Sequence, residues 1–226
     1  MRRRQFTGPM CALAAMGVGV AAAATFLSEA DAAAGMRAAL ERGAASAVSL
    51  LGRSDGFLRN PKVRIELPGF LKDAAKLLQA TGQGHRVDEL VLAMNRAAEA
   101  AVPEARDLLL AAVKSMSVDD AAKIVRGGDD SVTRFFSAKT REPLGQKFLP
   151  IVARATERVA LAKKYDAVAG KAAGLGLLRR EDANLNGYVT SKALDGLYLM
   201  IGEEERKIRR DPIGTGSAIL KKVFGG

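Results

Sequence analysis

The sequence predicts an all-α fold: a single compact multi-helix bundle with one irregular loop, or half of a short β-hairpin, near residues 56–68. Three observations point there. Apolar residues make up 48% of the chain but aromatics only 5%, with no Trp, and such an Ala- and aliphatic-rich balance suits helices better than sheets. Residues 87–116, VDELVLAMNRAAEAAVPEARDLLLAAVKSM, carry helical periodicity on both sides of Pro103. Turn signals are brief everywhere except in 52–70.

The chain opens with a targeting pattern. Met1 to Ala24 has a charged start, a weakly apolar Ala/Gly-rich middle and small residues after it, the layout of a secretory signal. Arg3-Arg4-Gln5-Phe6 fits a twin-arginine signal, and an ordinary Sec signal with a basic start is the alternative. The division expected is a signal peptide over 1–26 and an all-helical domain over 27–226, with cleavage near Ala23 or Ala24 and Ser28 capping the first helix. The location expected is the periplasm or the envelope, with no transmembrane segment in the mature chain.

The elements follow in order. Met36, Leu40, Ala44, Ala47 and Leu51 form one stripe of a helix over 28–51. Gly56, Pro61, Pro68 and Gly69 break the helical pattern next. Within that loop Val63, Ile65 and Leu67 alternate with Arg64 and Glu66, the period of a strand. A short helix over 71–80 stops at Thr81-Gly82. In the central stretch Leu90, Val91, Met94, Ala97, Ala98 and Ala101 face inward, and Pro103 should push Val102 out of the helical region. Ser117, followed by Asp119 and Asp120, caps the next helix, and Gly127-Gly128 ends it. Asp129 or Asp130 starts another, Pro143 a further one, with Pro150 inside it. Residues 163–175 are Ala/Gly-rich, 192–210 form the longest late helix, and 217–224 an amphipathic tail.

Composition excludes several kinds of chemistry. The single cysteine, Cys11, falls in the leader, so the mature domain would hold no disulfide or thiolate site. A lone histidine, His85, rules out multi-histidine zinc or iron sites, and no phosphate loop, dinucleotide turn or serine elbow is present. No cofactor is expected. The formal charge of +10 falls to +7 without Arg2, Arg3 and Arg4, since 1–26 hold no acid. The remaining bases are interspersed with acids and lack interleaved aromatics, so a solvated basic surface is expected rather than specific nucleic-acid binding.

Two constellations stand out. Asp182, Asn184, Asn186 and Gly187 match positions one, three, five and six of a calcium-binding loop, but position twelve is Ala193 rather than a bidentate Glu. The expected reading is therefore no metal site, with the three polar side chains bonding their own backbone and Gly187 at positive φ. Asn95, Arg96 and Glu99 form a polar cluster on an otherwise apolar helix, which serves either as a ligand anchor or enzyme site or as a lock on helix register. Tyr188, Lys192 and Asp195 join them as candidate ligand-binding residues.

Several long motifs carry a family resemblance. GFLRNPKVRIELP at 56–68, MNRAAEAAVPEA at 94–105, QKFLPIVARATERVALAKKY at 146–165, the stretch 182–212 and LKKVFG at 220–225 resemble the bacterial family named domain of unknown function 4197. The resemblance implies a mostly helical, exported, envelope-associated protein and supplies no activity or catalytic residue. The function expected is a non-enzymatic envelope module binding a protein or lipid. The alternatives are a hydrolase-like enzyme built around Asn95, Arg96 and Glu99, and a weak calcium module at 182–193.

Overall fold

The computed structural model describes residues 29–128, 131–157 and 184–210, together with 159, 162, 163, 165, 166 and 174. The leader, the Asp129/Asp130 start, most of the 163–175 stretch, Asp182 and the 217–224 tail lie outside the described residues. The described elements are α1 (Glu29–Leu51), α2 (Lys72–Ala80), α3 (Gly84–Ala101), α4 (Arg106–Lys114), α5 (Val118–Arg126), α6 (Ser131–Thr156) and α7 (Leu185–Arg210), with 3-10 turns at Gly69–Leu71 and Val102–Ala105. The fold is all-helical, and no strand occurs among the described residues. Among them, too, no helix is long and apolar enough to cross a membrane.

Small residues let these helices approach closely. The α1 stripe Met36, Leu40, Ala44, Ala47 and Leu51 is buried, as is the α3 stripe from Leu90 to Ala101. Both lie against α7: Gly43 of α1 sits so near it that an added Cβ would be 3.6 Å from the Glu204 Cβ. The Arg37 guanidinium donates to the Met116 carbonyl at 2.7 Å and ties α1 to the α4–α5 turn. At that turn the Ser117 hydroxyl accepts from the Asp120 N–H, and the Asp120 carboxylate accepts from the Ser117 N–H, a reciprocal cap. That backbone bond holds the Asp120 carboxyl below its ordinary value.

The 84–114 pair forms as the pattern predicts, with one correction. Val102 keeps helical torsions, φ −57° and ψ −37°, and its N–H still reaches the Ala98 carbonyl. Pro103 instead tightens the chain into the 3-10 elbow at 102–105, where a missing donor is tolerated in the first turn.

α6 corrects a second expectation. Residues 131–156 form one helix with Pro143 and Pro150 both inside it, not two helices divided near Pro143. Besides Ser131 at its start, its buried positions are Val132, Phe136, Thr140, Leu144, Phe148, Val152 and Thr156, each four residues from the last. A step of four advances the stripe by about 40° around a helix of 3.6 residues per turn. The buried face therefore winds around α6, which packs against α3, α4, α5 and α7. Continuous packing of this kind outweighs two absent backbone donors.

α7 begins at Leu185, seven residues before the expected start, and Gly187 lies in its first turn rather than at positive φ. The Asn184 carboxamide oxygen accepts from the Gly187 N–H at 2.8 Å and caps the helix. Cross-bonds pair Thr133 with Tyr198, Arg141 with Asp195 and Thr156 with Asn186, so α6 and α7 run antiparallel.

The 52–68 segment runs along the flank of α7, from Tyr188 to Glu203, and meets α3 at Asn95 and Glu99. Val63 and Ile65 are buried while Arg64 and Glu66 are exposed, so the alternation read from the sequence is real, but no hairpin forms. Phe57, fully buried, packs on α7 where Gly196 leaves room: an added Cβ would lie 2.8 Å from Phe57 Cε1.

Candidate functional site

The polar cluster on α3 meets the 52–68 loop. The Asn95 carboxamide oxygen accepts from the Ile65 N–H at 2.9 Å, and its nitrogen donates to the Ile65 carbonyl at 2.9 Å and the Val91 carbonyl at 2.8 Å. One side chain thus supplies Ile65 with the donor and acceptor that a neighbouring strand would offer. The alternation of 63–67 therefore persists without a sheet. Asn95 is fully buried, and these bonds satisfy it.

Four residues along, Glu99 Oε1 accepts from the Phe57 N–H at 3.0 Å and the Leu58 N–H at 3.1 Å. Glu99 Oε2 takes a bond of 2.6 Å from Arg96. Arg96 reaches on to the Asp55 carboxylate at 2.7 Å and the Ser54 hydroxyl at 2.8 Å. The bond to Glu99 foremost, and that to Asp55 after it, hold the Arg96 guanidinium above its ordinary value against desolvation. Asp55 has φ 66°, a left-handed conformation that Asp adopts more readily than most residues, and Arg96 fixes it there. Asn95, Arg96 and Glu99 are thus brought together, and every bond named here goes to the loop or to α3 itself.

Tyr188, Lys192 and Asp195 lie elsewhere, along one side of α7. They line a crevice of about 350 Å³ with Lys62, Val63, Arg64, Ile65 and Glu66. The Tyr188 hydroxyl donates to the Glu66 carbonyl at 2.8 Å, bracing the loop from the side opposite Asn95. The Lys192 ammonium stands 5.8 Å from the Tyr188 ring centre and 3.9 Å from the Asp195 carboxylate.

The calcium-like residues have other partners. Asn184 caps α7, and the Asn186 carboxamide oxygen accepts from the Thr156 hydroxyl at 2.7 Å. Asp182 lies outside the described residues. Among those described, no cluster of three His, Cys, Asp or Glu residues could hold a metal.

A larger concavity lies on the outer side of the α6–α7 pair. It is a furrow of about 570 Å³ lined by Ser137, Ala138, Arg141, Gly145, Leu149, Thr190 and neighbours. Ser137 and Arg141 also line an adjoining hollow of about 390 Å³ with Asp195, Tyr198, Leu199 and Arg206. Arg141 stands on the ridge between them and donates through Nη2 to Asp195 at 2.8 Å and Ser191 at 3.4 Å. Thr190 is 7% exposed, and its hydroxyl has no hydrogen-bond partner among the described residues. Tyr198 bonds Thr140 at 3.0 Å, and burial holds its phenol above the ordinary value despite that bond.

The sequence reading reached Asp195 but missed Ser137, Arg141, Gly145, Leu149 and Thr190. They come together only because α6 is one unbroken helix antiparallel to α7. The available signal was Leu149: it is apolar, falls outside the buried four-residue repeat and is 45% exposed.

Fold and geometry together define an all-helical module with the 52–68 loop latched along α3 and α7 and an open furrow between α6 and α7. The chain belongs to the family described as protein of unknown function (DUF4197), whose family model matches residues 26–225. Comparison with curated proteins and with solved structures yields no match.

Proposed function

We propose that the protein is an exported, non-enzymatic binding module of the bacterial envelope, and that the α6–α7 furrow is where it binds. Export rests on the leader, with its paired arginines, weakly apolar middle and small residues. The reading does not place binding at Asn95, Arg96 and Glu99, because their polar atoms are engaged by the loop.

The observation that carries the reading is the furrow itself. It lies within the size range of small-molecule sites, mixes apolar wall with a few polar groups, and leaves Leu149 facing outward. Gly145 keeps it open: an added Cβ there would meet only Leu194 Cδ1, at 4.0 Å. Gly145→Phe should therefore plug the furrow while sparing the core. Compounds from a thermal-shift panel that raise the melting temperature of the wild type should fail with this variant. Equal stabilisation of both proteins by every active compound would sink the reading. Export is tested separately by cell fractionation, where replacing Arg3 and Arg4 by Lys should retain the precursor if the twin-arginine route is used.

A further inference from the structure

The furrow runs on past its own walls. Ser137 and Arg141 line both it and the hollow beside Tyr198, Leu199 and Arg206, so one trench follows the outer side of the α6–α7 pair from Gly187 to Arg206. At a rise of about 1.5 Å per residue that is about 28 Å, long enough to seat a stretch of chain. Leu149 in the furrow and Leu199 in the hollow are 45% and 39% exposed, an unfavourable state for side chains of that size. Arg141 is bonded to Asp195 and Arg206 to Glu203, which leaves Glu142 on the exposed rim without an ion pair among the described residues.

α7 ends at Arg210, one turn past the end of the trench, and the sequence continues DPIGTG and then SAILKKVFGG, outside the described residues. Pro212, Gly214 and Gly216 suit a reversal of direction. Ile219, Leu220, Val223 and Phe224 have the spacing of one helical face, and Lys221 and Lys222 fall on the other. Extended chain from Arg210 to Ile219 spans up to about 30 Å. Leu194 lies about 24 Å back from Arg210 along α7, so Ile219 can reach it. From there the apolar face of the tail can cover most of the roughly 10 Å of furrow between Leu194 and Gly187. The family model runs on to residue 225, so the tail is part of the domain the family defines.

We infer that the chain's own C-terminal tail, residues 211–224, turns back along this trench and covers the furrow. Ile219, Leu220, Val223 and Phe224 lie against Leu149 and Leu194, and the tail lysines stand beside Glu142. Burial of exposed leucine drives the contact, and the tether makes it intramolecular, so a modest contact suffices. The tail is then a cover over the proposed binding site. A ligand enters only by displacing it, and its apparent affinity falls with the fraction of molecules in which the furrow is open. The docking itself requires no ligand.

The test is cross-linking on the full chain carrying Cys11→Ser, which removes its one thiol. Val223→Cys is combined with Leu149→Cys or, as a control, with Ser46→Cys. Ser46 bonds Glu204 at 3.1 Å, so it is nearer than Leu149 to the point where the chain leaves α7, and an undocked tail would meet it more often. With a short bismaleimide the Leu149 pair should close at least tenfold faster than the Ser46 pair, within one chain and at a rate independent of protein concentration. Adding Leu220→Asp should abolish that preference. The inference is overturned if the Ser46 pair closes as fast, if the Leu149 pair closes only between two copies, or if Leu220→Asp leaves the preference intact. Those outcomes leave the furrow reading untouched. That reading falls only if no compound distinguishes the wild type from Gly145→Phe.

Discussion

Replacing Asn95 tests how the loop is held. In Asn95→Ala the Ile65 N–H and C=O lose their partners at a residue only 2% exposed. A buried backbone group left unbonded costs about 1–3 kcal/mol, so two stranded groups should cost about 3 kcal/mol after some relaxation. That is a large share of the roughly 5–15 kcal/mol typical of a domain. Asn95→Asp separates the acceptor role from the donor role. Its carboxylate still accepts from the Ile65 N–H but faces the Ile65 and Val91 carbonyls with no proton to give. Burial should raise its folded pKa above the unfolded value, so the deficit is largest above the folded pKa. It shrinks as pH falls and the protonated form donates again. Urea unfolding followed at 222 nm measures the loss, and trypsin reports local release through cleavage at Arg59, Lys62 and Arg64. A loss below about 1 kcal/mol for Asn95→Ala, with no faster cleavage in the loop, would refute the reasoning.

Glu99→Gln keeps an acceptor for the Phe57 and Leu58 amides but loses the ionic bond to Arg96. It should cost about 1 kcal/mol, against about 3 for Glu99→Ala, and equal losses in urea would show that the amides do not need the acceptor. Gly145→Ala, with open space around the new methyl, should stabilise mid-α6 by about 0.5–1 kcal/mol. A lower melting temperature would contradict the described furrow. The bond from Lys62, followed by that from Arg206, holds the Glu203 carboxyl at about 2. Its folded pKa thus lies below the unfolded value, so this tie stabilises above about pH 4.3 and is lost as pH falls through about 2. Lys62 is 56% exposed, so the effect should stay under about 1 kcal/mol. The difference between wild type and Glu203→Gln in urea should vanish toward pH 2, and persistence there would rule out the assignment.

Short-range patterns in the sequence correspond closely to structure. The α1 and α3 stripes, the Ser117 cap and the stop at Thr81-Gly82 are each decided within a few residues, where periodicity and capping chemistry act. The Pro143 boundary failed because a winding stripe has no fixed face, and the usual test for an amphipathic helix assumes one. The hairpin failed for a different reason. Val63 to Leu67 does alternate, but its partner is a side chain 30 residues away, a contact that leaves no local trace. Asn95, Arg96 and Glu99 were legible as a polar anomaly on an apolar helix. What they hold was not, because Phe57, Leu58 and Ile65 contribute backbone atoms, which every residue has. Arg141 and Thr190 were invisible for the same long-range reason: their significance depends on how two distant helices lie against each other.

Latching an extended strand with one carboxamide also bears on how the protein behaves at high concentration. Val-Arg-Ile-Glu-Leu has the alternation and β-branching that cross-β stacking favours, and in an antiparallel stack centred on Ile65 its Arg and Glu would alternate in sign. While Asn95 occupies Ile65, a second copy of the chain finds no open rung to pair with there. The bonds that shape the loop therefore also act as its guard against self-templating, and whatever loosens them exposes a ready seed for fibrils.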